Sequence, residues 1–134
     1  MPLASATAPS LADIHELAQT ALANLPEKFR DACGPLVIRV ADLADLSLLR
    51  ATGVGDPFNL TGVYIGVALT QRSVMDIQTE PDSIWLFRKP ILKEWIDRGD
   101  VALGDLVTHV LVHEIAHHFG YSDDDIAAID QWWL

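Results

Sequence analysis

The stretch LVTHVLVHEIAHHFG, residues 106–120, sets the strongest limit on what this chain can fold into. Leu106, Val107, Val110, Leu111 and Ile115 recur at the three- and four-residue intervals of an α-helix, and Gly120 ends the run. So apolar an approach buries the helix, which means that His113, Glu114 and His117 are not simply a solvated face. Polar groups carried into an interior need partners there. The fold has to be built around whatever satisfies these three side chains.

Helix geometry indicates what that is. Residues four apart stand one above the other, so His113 and His117 can aim one imidazole nitrogen each at a common point. Glu114 is rotated from His113 by about a third of a turn, which sets its carboxylate beside that point, within reach of a water. The pattern is HExxH. A zinc ion with three protein ligands and one water lowers the pKa of that water to about 7, and Glu114 is the candidate general base that takes its proton.

His109 adds a lower rung to the ladder, but it lies about 12 Å of helix rise from His117, too far for one ion with ligand bonds of about 2 Å. Pairing His109 with His113 instead would put Val110 where the base belongs. His109 is therefore read as structural or as a support behind the metal ligands, core packing being the favoured reading, and His118 as a hydrogen-bonded core or cleft residue. The third ligand stays open at this level. Gly120 permits a left-handed turn that brings Asp123, Asp124 and Asp125 back toward the two histidines. Ser122 capping a last helix would place the same aspartates in its first turn, where the helix dipole favours negative charge.

The remaining chain suits one domain: residues 1–9 as a frayed, disordered terminus and 10–134 as a single unit. Ser10 caps a helix that Pro26 closes, a turn follows over 27–34, and LVIRVA (36–41) reads as a first strand. Residues 42–59 mix a helical piece, ADLSLLR, with breakers. LTGVYIGVAL (60–69) is a second strand, with Val63 and Ile65 on one face and Gly62, Tyr64 and Gly66 on the other. Two glycines around a ring leave bare backbone, which suits close packing first and a ligand second. A loop over 70–82 leads to SIWLF (83–87), apolar on both faces and suited to a buried strand. Pro90 fits the first turn of a helix stopped by Gly99, Asp100 or Gly104 opens the next, and a final helix runs from Ser122 to Trp132, Trp133 and Leu134.

Nineteen acidic against nine basic residues give a formal charge of -10, which disfavours nucleic acid and anionic lipid as partners. A lone cysteine, Cys33, allows no internal disulfide. With neither a secretion signal nor a membrane-length apolar run in the chain, a cytoplasmic protein is expected. Nothing in the sequence speaks to oligomeric state.

VLVHEIAHHFGYSDDDI (110–126), TGVYIGVALT (61–70) and PDSIWLFRKPIL (81–92), together with NLPEKFRDA (24–32), resemble the small bacterial zincin-like metallopeptidases. The resemblance implies an α+β, minimal zincin-like fold, with a small mixed β-sheet packed on helices and an HExxH active-site helix beneath it. It implies zinc as cofactor, a peptide or protein as substrate, and an edge strand that pairs with extended peptide. GVYIG is the candidate for that strand, with Tyr64 and Gly66 as substrate-binding residues and Tyr64 as a transition-state donor. The spacing HExxHxxGxxD is also similar to the longer metzincin motif, whose last position, a metal ligand there, is Asp123 here; neither Met1 nor Met75 can supply the methionine turn of that group.

Two functions compete. One is a zinc metallopeptidase with His113, His117 and Asp123 as ligands and Glu114 as base. The other is a catalytically silent scaffold that binds a protein partner, motivated by Trp132 and Trp133 at the C-terminus.

Overall fold

The computed structural model describes residues 3–66 and 81–124. Among them are five α-helices and a three-stranded mixed sheet, the α+β arrangement expected. Helix α1 spans Leu11–Ala23 and begins on a capping box, in which the Ser10 hydroxyl accepts from Asp13 N–H while the Asp13 carboxylate accepts from Ser10 N–H. Each satisfies a backbone donor that the helix cannot. Before it, Leu3–Ser5 form a 3-10 turn, and the Pro9 carbonyl accepts from Arg88 Nε at 2.6 Å.

The segment read as a turn over 27–34 is instead a short helix, α2, Glu27–Ala32. Pro26 stands at its N-cap, and the run EKFRDA holds good helix formers, so one local propensity overrode a reading based on breakers alone. Strand β1 is Val37–Ala41, α3 is Leu46–Thr52 behind an Asp45 cap, and the breaker-rich connection holds a 3-10 turn at Pro57–Asn59. Strand β2 is Gly62–Ile65 and β3 is Ser83–Phe87. Residues 67–69 of the expected second strand and most of the loop after it lie outside the described residues.

Helix α4, Arg88–Arg98, carries Pro90 in its first turn and stops at Gly99 in the left-handed region. Helix α5, Leu103–His118, opens on Ala102 rather than on Asp100 or Gly104; no side chain caps it, and Asp105 in its first turn answers the dipole instead. Of the expected last helix, residues 123 and 124 are helical, and Asp125, Trp132, Trp133 and Leu134 lie outside the described residues.

The sheet order is β1-β3-β2, with β1 parallel and β2 antiparallel to β3. That register lines up Ile38, Ile84 and Tyr64 in one row and Val40, Leu86 and Gly62 in the next, all on the face toward the helices. Ile84, Leu86, Ile14, Leu106, Val107 and Leu111 are fully buried there, so α1 and α5 close the core against this face. Within it, Gly62 is where β2 and α5 meet. A Cβ on Gly62 would stand 2.9 Å from Val110 Cγ1 and 3.2 Å from the Trp85 carbonyl oxygen, so the bare backbone there serves close packing of strand on helix. Strand β2 is thereby laid along the polar end of α5, at the sheet's edge among the described residues.

Candidate metal centre

Helix α5 brings His113 and His117 together as its period requires, with ring centroids 5.1 Å apart and planes at 72°. Glu114 is 8% exposed beside them, and ligand-capable atoms of His113, Glu114 and His117 all lie within 4.8 Å of one another, a group that could hold a metal ion. The helix then ends in a Schellman turn. Gly120 has φ of 96°, Gly120 N–H donates to the His117 carbonyl at 2.9 Å, and Tyr121 N–H reaches back to the Ala116 carbonyl at 3.0 Å. Only a residue without a Cβ takes that conformation at low cost.

The turn has two consequences. It places the Tyr121 carbonyl 2.9 Å from His117 Nδ1, which can meet an acceptor there only as N–H. Nε2 of the neutral ring is then the lone-pair nitrogen, the tautomer that a metal ligand needs. The turn also folds Asp123 over the two rings, with Oδ1 at 3.3 Å from His113 Nε2 and 3.0 Å from His117 Nε2. Two atoms about 2.0–2.1 Å from a tetrahedral ion stand about 3.3–3.4 Å apart, so the first separation matches a shared zinc and the second is a few tenths of an ångström short of it. Residues 123 and 124 are helical, so Asp123 leans over the histidines from the start of a helical segment.

Burial pushes the Glu114 carboxyl above the ordinary glutamate value; His113 and His117 draw it down, Asp123 pushes it up, and the backbone N–H of Tyr64, donating to the carboxyl, favours the charged form. A cavity of about 850 Å³ opens over these residues, floored by α5 and bordered by β2. His109 lines it and is half-buried, one turn before His113 on the same helix face, so of the two roles expected for it the place behind the ligands at the cleft is the one it occupies, and not packing in the core. His118 is buried at 2% exposure and hydrogen-bonded, as expected.

A family model described as zincin-like metallopeptidase matches residues 33–133. The chain belongs to that family. No curated protein matches it. The match spans β1 through the HExxH helix and beyond, so the family assignment covers the sheet, the edge strand and the metal-site helix alike.

Two groups at this zincin-like centre escaped the sequence reading. One is the Tyr121 carbonyl, which no side-chain pattern encodes, although Gly120 marks the turn that aims it. The other is Asp82, 4% exposed, whose carboxylate accepts from the Tyr64 hydroxyl at 2.6 Å. Its signal was a charge placed directly before SIWLF, a strand with no polar face to receive it. Tyr64 borders the cavity, and its hydroxyl, read from the sequence as a transition-state donor, is turned to Asp82. At Gly66, φ of 157° and the overlap that a Cβ would make with the Asp82 carboxyl explain the glycine by packing.

Proposed function

We propose that this zincin-like protein is a zinc-dependent peptidase that hydrolyses peptide bonds in an extended substrate. His113, His117 and Asp123 hold the metal. The observation that carries it is the convergence of Asp123 Oδ1 on both histidine Nε2 atoms, at separations close to those around a single tetrahedral ion, with a buried carboxylate alongside. Zinc held there supplies Lewis acidity, acidifying a water to a pKa of about 7 and polarising the scissile carbonyl.

The chain's own residues do the rest. Glu114, inside the cleft and pinned by Tyr64 N–H, accepts the proton of the attacking water and returns it to the departing amine nitrogen. His117 is held in its ligand tautomer by the Tyr121 carbonyl. An extended peptide pairs along the outer edge of β2, where Tyr64 and Gly66 border the cavity. No helix among the described residues is long and apolar enough to cross a membrane, and the acidic surface accords with a polypeptide substrate rather than a phosphate backbone.

The test replaces Glu114 by glutamine, which keeps size and hydrogen bonding and removes the base. Glu114→Gln retains zinc and cleaves dye-labelled denatured casein about 100-fold more slowly or worse. Cleavage at the wild-type rate by the variant would end the assignment of the base.

A further inference from the structure

Three side chains that carry or can carry charge are buried among the described residues: Glu114, Asp82 and His118. Peptide hydrolysis accounts for the first and leaves the other two without a task. A buried carboxylate is costly unless donors surround it, so the partners of Asp82 show what it does.

Tyr64 Oη donates to Asp82 Oδ2 at 2.6 Å, and His118 Nδ1 lies 3.1 Å from the same oxygen and 3.2 Å from Tyr64 Oη. His118 Nε2 is 3.0 Å from the Cys33 carbonyl, a contact that only Nε2–H makes, and its Nδ1 bonds the Asp82 carboxylate only as N–H as well, so the ring that Asp82 holds donates at both ends. Asp82 is held through its backbone as well, its carbonyl accepting from Val37 N–H at 3.0 Å. Gly66 makes the room, because a Cβ there would occupy the space of the Asp82 carboxyl. Five pieces of chain thus meet in one cluster around Asp82: the end of α2, strands β1 and β2, the lead into β3 and the last turn of α5.

Tyr64 is the two-ended member of this cluster. Its hydroxyl is on Asp82, and its strand packs on the Glu114 side chain, whose Cγ lies 3.4 Å from where a Cβ on Gly62 would stand, with Tyr64 N–H turned toward that carboxyl. His118 is the residue after His117 and belongs to the same helical turn. We infer that Asp82 is a positioning residue for the hydrolytic site: by gripping the Tyr64 hydroxyl and the His118 ring together, it fixes the edge strand against the metal-site helix and so aims Tyr64 N–H at Glu114, an inference that rests on Glu114 being the base. Asp82 acts through Tyr64 and touches neither metal nor substrate. The side chain that borders the cleft is in this way set from behind it.

The experiment compares wild type, Tyr64→Phe, Asp82→Ala and Asp82→Asn as full-length, zinc-loaded chains. Tyr64→Phe and Asp82→Ala keep their zinc, and kcat on dye-labelled denatured casein falls roughly 10- to 100-fold, as for lost outer partners of a site. KM stays within about twofold, because the alignment of the base rather than substrate binding is disturbed. Asp82→Asn, whose amide oxygen still accepts from Tyr64, recovers most of the rate. Wild-type kcat in both Tyr64→Phe and Asp82→Ala, with only the melting temperature lowered, would reduce the cluster to a structural tie and overturn the inference. Tyr64→Phe removes one oxygen and decides the matter even where Asp82→Ala does not fold. If the wild type cleaves nothing, peptide hydrolysis fails on its own, and the Tyr64 amide resonance becomes the readout. A shift of that resonance on Glu114→Gln that is seen in the wild-type background and lost with Asp82→Ala upholds the positioning role. The same shift in both backgrounds overturns it.

Discussion

Glu114 has to be shielded from water and still be charged, and its neighbours show how both are met. Burial favours the neutral carboxyl, while two imidazoles and one backbone N–H favour the charged form. A carboxyl whose folded pKa is raised binds its proton more tightly in the folded state. Its contribution to stability is therefore full below the ordinary glutamate value and is lost as pH rises through the raised one. Metal-free Glu114→Gln is accordingly expected to melt higher than metal-free wild type at neutral pH, with the gap closing toward acid. A gap independent of pH, in parallel thermal melts, would show that burial of the charge is not what separates them. The residue scale was also the more legible in sequence: His113, Glu114 and His117 follow from spacing alone, whereas Asp82 declares itself only through partners distant in the chain.

At the scale of elements, two glycines do the joining. Gly62 lets β2 lie on α5, and Gly62→Ala, which forces Val110 or the Trp85 backbone to give, should cost about 1–3 kcal/mol in denaturant unfolding. Gly120 closes α5 and folds the chain back. Gly120→Ala strains that turn, shifts the Tyr121 carbonyl from His117, and is expected to weaken zinc binding roughly 10- to 100-fold in chelator competition, the usual range for a lost outer partner. Undiminished affinity would show that the carbonyl does not orient the ring. Strands and long helices were readable because burial imprints its period on them: SIWLF is apolar after Ser83, and in residues 103–118 the apolar positions recur at helical spacing between the polar ones. Helix α2 was not, because six residues are too few to display a period and the flanking Pro26 and Gly34 look alike as helix ends and as turn punctuation.

For the whole molecule, the candidate ligands come from α5 and from the segment beyond its closing turn, so a bound ion ties the chain after Gly120 to the core. Anything that binds the folded state alone stabilises it by mass action, by about 2.7 kcal/mol at 100 times its Kd. Stripping zinc with a chelator is therefore expected to lower the melting temperature of the wild type and to leave that of His113→Ala where it was. The topology explains why so short a chain can hold a centre of this kind. One sheet and one helix pair bury the apolar face of α5 and leave His113, Glu114 and His117 open on their outer side to a cleft. That minimal plan was legible from the order of patterned segments, while the order β1-β3-β2 was not, since strand pairing depends on contacts that no local period records. A metal held by His113, His117 and Asp123 is tested most directly by the zinc content and affinity of wild type, His113→Ala and Asp123→Ala purified side by side. Equimolar zinc in the wild type, none in His113→Ala and a clear loss of affinity in Asp123→Ala is the result predicted; the same zinc in all three would contradict it.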